Sequence, residues 1–334
     1  MKATIKDIAR IASVSTATVS RVINNVPDGV GPELRNRILE IIQEVGYRPN
    51  LLAKSIITKK SFTIGLMATD VMSPFLEQVF KGINECIRAD GYNLILCNSD
   101  RDSDYVSQVE TLIARGIDGI ILIGFFREQS VQLTDVLGDI PVVVFDYIPK
   151  HRELMQINTN NRQLAYELTN TLIDAGHRRI GVITGPLRYD TVQERLKGYK
   201  RALKDRNITW DERIITEGSF SIESGYTSFG GLIGQSNISA LFCFNDLMAY
   251  GVYEYCREHN IVIPRDLSVV GFDDLPYSRL LTPPLTTASQ PRYRLGFEGA
   301  KLLLEKINDT SIPPQKKILS GKVVIRDSVH ILPN

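Results

Sequence analysis

Residues 4–25 read TIKDIARIASVSTATVSRVINN, and the spacing of apolar side chains in this stretch predicts two short helices. Thr4 followed three residues later by Asp7 is a capping-box pattern that opens a helix. The apolar residues that recur at helical spacing after this cap are Ile5, Ile8, Ala9 and Ala12. A three-residue break follows, after which Ser15 can cap a second helix running to about Asn24. Two short helices joined by such a turn predict a helix-turn-helix.

A third helix is predicted after residue 31. Pro32 suits the first turn of a helix, and Gly46 suits its carboxyl end. An apolar stripe between them consists of Leu34, Ile38, Ile41, Ile42 and Val45. Together with the inward positions Val19, Val22 and Ile23 of the second helix, this stripe predicts the core of a three-helix head.

The second helix leaves Thr16, Ala17, Ser20 and Arg21 outside that core. These residues lie near its amino-terminal end, where a recognition helix contacts base edges in the major groove of DNA. The small side chains permit close approach, and an arginine can read guanine or bind a phosphate. A plain three-helix bundle with a polar face is the alternative.

The charge distribution separates the head from the rest of the chain. The net charge is only +1, but residues 1–60 contain ten Lys or Arg against five Asp or Glu. The remainder, residues 61–334, contains 29 basic and 33 acidic residues. A basic head on a mildly acidic body predicts a polyanionic partner for the head alone, although a solvated basic face would have the same composition.

Residues 4–25, together with IIQEVGYRPNLLAKSIITKKSFTIGL at 41–66, resemble the DNA-binding head and the following bridge of the lactose- and galactose-repressor family. The resemblance extends over the length of the chain. It implies that Thr16, Ala17 and Arg21 occupy base-reading positions. The other head residues that we predict to contact DNA are Thr4, Ser15, Thr18, Ser20 and Asn24.

The same resemblance implies a hinge helix at NLLAKSII, residues 50–57, which is too short to be stable alone. In the family this segment orders when two copies meet on the minor groove, where an apolar side chain wedges between base pairs. The wedge is usually leucine, whereas this chain has Ile56. Lys54, Lys59 and Lys60 are predicted to contact phosphate groups of the DNA, and Ser55 is a further predicted DNA-binding residue. An ordinary flexible linker is the alternative.

The body alternates apolar strands with amphipathic helices. Strands are predicted at Thr63–Ala68, Asn93–Cys97, Gly119–Ile123, Val142–Phe145, Ile180–Thr184, Arg213–Thr216, Ala240–Phe244 and Ser268–Gly271. Helices are predicted near Pro74–Asp90, Asp104–Arg115, Glu128–Leu137, Asn161–Ala175, Thr191–Arg206, Ser221–Ile233 and Asp246–Glu258. Repeated strand–helix units favour an α/β body of parallel sheets, with a cleft at the carboxyl ends of the strands.

By resemblance, the body is similar to a type I periplasmic sugar-binding protein, with two lobes and three crossovers. The resemblance over the whole chain predicts a helix-turn-helix domain at residues 1–49, a hinge at 50–60 and an effector-binding and dimerisation domain at 61–334. The first lobe is expected at about 61–160 and 292–321, and the second at about 161–291 and 322–334.

Three polar residues are the main candidates for binding an effector in the cleft. Asp273 follows an apolar strand, and an ionised carboxylate makes strong hydrogen bonds to sugar hydroxyls. Arg195 supplies a planar fork of donors, and Asn245 can donate and accept. Capping of a turn by Asp273 and a surface ion pair at Arg195 are the alternatives.

Four further candidates follow predicted strands or precede helices. Phe75, Tyr147 and Phe220 can stack on the apolar face of a sugar ring, and Asp146 is another carboxylate. The family's effector positions match the motifs SPF, FDY, ERLKGY, EGSFSIESGY, FND and VGFDD, which contain all seven candidates. Aromatic side chains are more often core than ligand platforms, and this alternative applies to Phe220 and Tyr147.

These features predict a cytoplasmic, homodimeric transcription regulator. It is expected to repress transcription by binding operator DNA, under the control of a sugar, sugar acid or sugar phosphate. A purine effector also fits the residues. No signal peptide precedes the head, the four cysteines form no CxxC pair, and the four histidines have no metal-ligand spacing, so neither metal nor cofactor is expected. The absence of a heptad tail before Asn334 favours a dimer over a tetramer. An α/β enzyme and a pure sugar-binding protein are the rival functions, but no nucleotide-binding glycine motif or catalytic set is present.

Overall fold

A computed structural model describes residues 3–23, 26–47, 60–98, 105–124, 130–145, 154–234 and 237–333. The chain divides into a small unit, residues 1–61, and a large unit, residues 62–334. We call the first the head and the second the body. Within the described residues, no helix has both the length and the apolar character needed to cross a membrane.

The described residues of the head form three helices, α1 (Ile5–Ala12), α2 (Thr16–Ile23) and α3 (Pro32–Glu44). The predicted capping box at the start of α1 is confirmed, because Thr4 Oγ1 accepts from the Asp7 amide while Asp7 accepts from the Thr4 amide. Ser15 Oγ accepts from the Thr18 amide at 3.1 Å, as expected of a cap for α2. The head is therefore the predicted pair of short helices followed by a third.

The core of the head is small and closed. Its fully buried centre is formed by Ile8, Val19 and Ile38, one from each helix. Ala9, Ala12, Val22 and Ile41 complete it. Because so few side chains exclude water here, each contributes a large share of the stability of the head.

The body contains two six-stranded sheets. The strands are β1 (Thr63–Ala68), β2 (Asn93–Asn98), β3 (Gly119–Ile123), β4 (Val142–Phe145), β5 (Met155–Thr159), β6 (Ile180–Thr184), β7 (Ile215–Glu217), β8 (Ala240–Cys243), β9 (Ser268–Asp273), β10 (Thr286–Ser289), β11 (Lys316–Leu319) and β12 (Lys322–Val324). The first sheet has the order β11-β5-β4-β3-β1-β2, and the second has the order β12-β10-β9-β8-β6-β7. Every pairing is parallel except that of β10 with β12.

Within the described part of the body, eight α-helices connect these strands. They are α4 (Pro74–Ala89), α5 (Tyr105–Ala114), α6 (Ser130–Leu137), α7 (Asn161–Asp174), α8 (Asp190–Asp205), α9 (Ile222–Ile233), α10 (Asp246–Glu258) and α11 (Arg292–Asn308). The chain passes between the sheets after β5, after β10 and after β11, which gives the three predicted crossovers. We call the first sheet with its helices the first lobe, and the second sheet with its helices the second lobe.

Helix α11 belongs to the first lobe although it follows a strand of the second. It packs against α4 and against strands β3, β4 and β5. The two helices cross closely because each has a glycine at the contact: a Cβ on Gly82 would lie 2.1 Å from the Tyr293 carbonyl oxygen, and one on Gly296 would lie 2.0 Å from that of Val79. This crossing fixes the start of α11 beside the start of α4.

The predicted bounds of two strands differ from the structure by two residues at one end, and several elements were not predicted. Strand β9, predicted to end at Gly271, extends to Asp273. The strand predicted from Arg213 begins only at Ile215, because Asp211 caps a short 3-10 helix at Glu212–Ile214 through the Arg213 amide. Strands β5, β10, β11 and β12 and helix α11 were not predicted. Strand β10 reads TTAS, yet its first three residues are buried, so its polar composition concealed it.

Candidate functional site

A cavity of about 370 Å³ lies between the two lobes of the body, at the carboxyl ends of the strands. Its size falls at the lower end of the range for small-molecule sites. The first lobe contributes Phe75, Phe145, Asn158 and Leu295 to its wall, among others. The second lobe contributes Tyr189, Arg195, Phe220, Asn245 and Asp273, and Gln290 follows strand β10. Five of the seven predicted effector residues therefore meet in one cavity.

Arg195 is on α8 and only 5% exposed, which excludes the alternative of a surface ion pair. Its Nε donates to Asn161 Oδ1 at 2.9 Å, and Nη1 donates to the carbonyl oxygen of Phe244. The guanidinium lies over the ring of Phe272, 3.7 Å from the ring centroid. These contacts fix the planar donor group at the wall of the cavity.

Asp273 ends strand β9 and is also 5% exposed. One carboxylate oxygen lies 4.0 Å from Arg195 Nη2 and accepts from Gln290 Nε2 at 2.7 Å. Burial raises the pKa of Asp273 to about 7, although the nearby Arg195 guanidinium lowers it. The carboxylate therefore changes its protonation state near neutral pH.

Asn245 combines a structural contact with a place in the cavity. Its Oδ1 caps α10 by accepting from the Met248 amide at 2.9 Å, and its Nδ2 donates to the Phe220 carbonyl oxygen at 2.9 Å. A side-chain amide has two N–H donors and two acceptor lone pairs, so these two bonds use half of its capacity. The cap fixes the position of the amide. The two bonds leave one N–H donor and one acceptor lone pair, which are the groups that hydrogen-bond to a polar ligand.

The two described aromatic candidates come from opposite lobes. Phe75 is in the first turn of α4 and half-buried, and it also packs against the core of the first lobe. Phe220 is likewise half-buried against the core of the second lobe, with its ring 6.0 Å from that of Tyr189. Its φ of +63° is in the left-handed region, which is uncommon for a residue with a Cβ. Both aromatics thus serve as core and as cavity wall.

Several cavity residues were missed from the sequence. Gln290 was missed because the strand before it was not predicted. Asp70, Asn158 and Tyr189 also line the cavity and follow or precede elements in positions that the sequence did not single out. The predicted residues Asp146 and Tyr147 lie outside the described residues, which end in this region at Phe145.

A second carboxylate, that of Asp246, stabilises the segment that follows strand β9. Asp246 is fully buried, and it accepts from the Leu275 amide at 2.8 Å, from Ser278 Oγ at 2.5 Å and from Thr287 Oγ1 at 2.6 Å. Burial raises the pKa of Asp246, and these three donors lower it. The bonds hold the chain that follows Asp273 against the sheet.

The neighbouring carboxylate, Asp274, has different partners from Asp273. Its Oδ1 accepts from Arg326 Nη2 at 2.5 Å, whereas Asp273 contacts Gln290 and Arg195. The two side chains therefore form no acid pair that converges on one substrate. This geometry counts against a general acid–base role for the two adjacent aspartates.

In the head, Thr16, Ala17 and Arg21 are exposed on α2, and Thr18 and Ser20 are half-buried. The hydroxyls of Ser15 and Thr18 lie 2.9 Å apart. Gly29, with a φ of +86°, lies beside Arg21, so close that an added Cβ would lie 3.7 Å from Arg21 Nη1. Thr4 is exposed at the start of α1. The predicted residues Asn24, Lys54, Ser55 and Ile56 lie outside the described residues.

Comparisons with known proteins follow the division into head and body. Residues 4–50 match the model for bacterial regulatory proteins of the lacI family. Residues 169–329 match the model for the periplasmic binding protein-like domain. Each match falls on one of the two units of the structure.

Curated relatives match the whole chain. The ribose operon repressor of Haemophilus influenzae is 36% identical, over 99% of both chains. The transcriptional repressor PurR of Vibrio vulnificus is 34% identical, over 98% of both. A solved lacI-family regulator of Enterococcus faecium with bound ribose is 28% identical, has a TM-score of 0.73, and covers 81% of this chain and all of its own. The chain therefore belongs to the lacI family of bacterial regulatory proteins, with a helix-turn-helix head and a two-lobed α/β body of the type I periplasmic-binding kind.

Proposed function

We propose that this protein is a transcriptional repressor whose affinity for operator DNA is controlled by a small neutral sugar bound between the lobes of the body. The observation that carries the proposal is the cleft itself. Arg195, Asp273, Asn245 and Gln290 offer donors and acceptors in one cavity that is also lined by aromatic rings. The same chain carries a helix-turn-helix with exposed Thr16, Ala17 and Arg21.

The charges of the cavity favour a neutral ligand over an anionic one. Among the described lining residues, the arginines Arg188 and Arg195 are matched by the aspartates Asp70 and Asp273. A phosphate or carboxylate ligand would need cationic charge in excess, and it would be repelled by the Asp273 carboxylate. Sugar hydroxyls both donate and accept, so they suit a carboxylate beside a guanidinium and two amides. The relatives named for ribose agree with this class of effector.

The domain assignment follows from the same proposal. Residues 1–49 are the DNA-binding domain, residues 50–60 the hinge, and residues 61–334 the effector-binding and dimerisation domain. Two copies would place two heads on the half-sites of a near-palindromic operator. A repressor of this kind acts in the cytoplasm and catalyses no reaction.

A thermal-shift screen tests the effector class directly. The full-length protein is heated with D-ribose and other neutral sugars, sugar acids and sugar phosphates. A ligand whose free concentration is one hundred times its Kd stabilises a folded protein by about 2.7 kcal/mol, which raises the melting temperature of the body. We expect a neutral sugar to give the largest shift and Asp273→Asn to reduce that shift. A shift by sugar phosphates alone, or by sugar acids alone, would contradict the neutral class.

Sugar affinity should weaken as the pH falls through 7. The ionised carboxylate of Asp273 is the stronger acceptor, and burial raises the pKa of this carboxyl group to about 7. The ionised fraction drops from about nine-tenths at pH 8 to about one-tenth at pH 6, so the Kd should rise about tenfold. Isothermal titration calorimetry at the two pH values measures this. Asp273→Asn should bind weakly with no such pH dependence, and an unchanged Kd in the parent would show that the ionised form is not required.

A further inference from the structure

Arg292 is the first residue of α11, two residues after Gln290, at the crossover from strand β10 of the second lobe to the first lobe. Its guanidinium donates through both terminal nitrogens to backbone carbonyl oxygens. Nη1 donates to Pro74 at 3.2 Å, and Nη2 donates to Asp274 at 3.1 Å. Pro74 begins α4 of the first lobe, whereas Asp274 follows the last residue of β9 in the second. One side chain therefore links the two lobes.

Both carbonyl groups adjoin residues that line the cavity. Phe75 follows Pro74, and Asp273 precedes Asp274. The distance between these two backbone segments sets the separation between the aromatic wall of the first lobe and the carboxylate of the second. A guanidinium has its donors in a rigid plane, so two simultaneous bonds fix the acceptors relative to each other more firmly than a flexible ammonium would.

The turn that Arg292 contacts is strained. Asp273 has a φ of +124° and Asp274 a φ of +54°, values that residues with a Cβ rarely adopt. Such conformations persist only where the surroundings hold them. On the side of the second lobe, Asp246 binds the Leu275 amide and Arg326 binds the Asp274 carboxylate. Arg292 supplies the contact from the first lobe.

We infer that Arg292 is a positioning residue for the effector, which sets the separation of the two cavity walls without lining the cavity itself. In this structure it ties the strained turn after β9 to the start of α4. When the lobes move apart, the Pro74 and Asp274 carbonyl groups separate, and the guanidinium loses one of its two bonds. Effector affinity and lobe arrangement are therefore coupled through this side chain. The link to affinity rests on the proposed function, whereas the link between the lobes does not.

The test compares Arg292→Gln and Arg292→Lys with a matched control, Arg294→Gln, an exposed arginine on the same helix. Hydrogen–deuterium exchange is measured on the full-length protein without sugar. Loss of a charge-assisted bond should speed exchange about tenfold in peptides covering both 71–76 and 273–278, with Arg292→Lys intermediate and Arg294→Gln unchanged. Faster exchange throughout both lobes, in one segment only, or in neither would overturn the inference.

Titration with D-ribose provides the second readout. Arg292→Gln should raise the Kd for D-ribose about tenfold, and Arg294→Gln should leave it unchanged. An unchanged Kd in Arg292→Gln, with binding intact in the parent, would overturn the positioning role. If D-ribose fails to bind the parent protein, the effector is not ribose, and the exchange experiment alone still decides whether Arg292 links the lobes.

Discussion

Replacing Arg195 with methionine is expected to lower the free energy of unfolding by about 3–5 kcal/mol at pH 8 and to abolish sugar binding. Methionine keeps much of the length of the side chain but removes the charge and every donor. The Asp273 carboxylate, 4.0 Å from the guanidinium and 5% exposed, would then be buried without its cation. The carbonyl oxygen of Phe244 and the side chain of Asn161 would each lose a donor as well.

The size of this loss should depend on pH in a defined direction. Without the cation that lowers it, the pKa of Asp273 in the folded variant rises above about 7. An acid whose pKa is raised in the folded state makes the protein lose stability as the pH rises from the unfolded pKa to the folded one, so above about pH 7 only the variant continues to lose stability. The deficit of Arg195→Met should therefore shrink at pH 6, as urea denaturation would show.

The double variant Arg195→Met/Asp273→Asn is the control for this argument. With no carboxylate left to ionise, it should regain much of the lost stability at pH 8 but should not bind sugar. An equal deficit for Arg195→Met at pH 6 and pH 8 would mean that the hydrogen bonds to Asn161 and Phe244 and the packing over Phe272, and not the charge, account for the loss.

The second large effect is expected in the head. Ile38→Ala removes most of a side chain that is fully buried in the core of the head, to which each helix contributes one fully buried residue. The expected loss in the free energy of unfolding is about 2–5 kcal/mol. A domain of this size has only a few kcal/mol of stability in total. The variant should therefore lose DNA binding at 37 °C while the thermal shift caused by sugar in the body persists.

Leu39→Ala is the matched control, because Leu39 is the next residue on α3 but 44% exposed. It should change stability by less than about 1 kcal/mol and should keep DNA binding. Gel shift and circular dichroism of both variants measure the outcome. If Ile38→Ala kept full DNA binding at 37 °C, the core of the head would be more tolerant than its size indicates.

Much of the fold was accessible from sequence because the decisive elements have strong local signals. The cap at Thr4 and the apolar spacing after it define α1, and near-continuous apolar runs define the central strands β3, β4 and β9. Polar residues at the carboxyl ends of such strands, Asn245 and Asp273 among them, meet at one edge because parallel strands end on the same side. Arg195 was identified by family resemblance as much as by its chemistry.

The remaining elements and cavity residues could not be predicted because they depend on contacts between residues that are far apart in the sequence. Arg292 contacts a carbonyl group 218 positions earlier in the chain, and Thr287 contacts Asp246 across 41. No periodicity records such contacts. Strand β10 contains two threonines whose hydroxyls are satisfied by a buried carboxylate and by backbone, so a buried strand looks polar in sequence. Gln290, which follows that strand, was missed as a consequence.

Coupling between the effector site and the DNA-binding head is measured most directly as the affinity of the protein for DNA in the presence and absence of one effector. A duplex that the protein selects from fragments of its own genome would be labelled, and binding followed by fluorescence anisotropy with and without the sugar found in the screen. Coupling between the sites should change DNA affinity by about 5–150-fold, and the duplex should change sugar affinity by the same factor. Equal DNA affinity with and without the sugar would show that the two sites are not coupled.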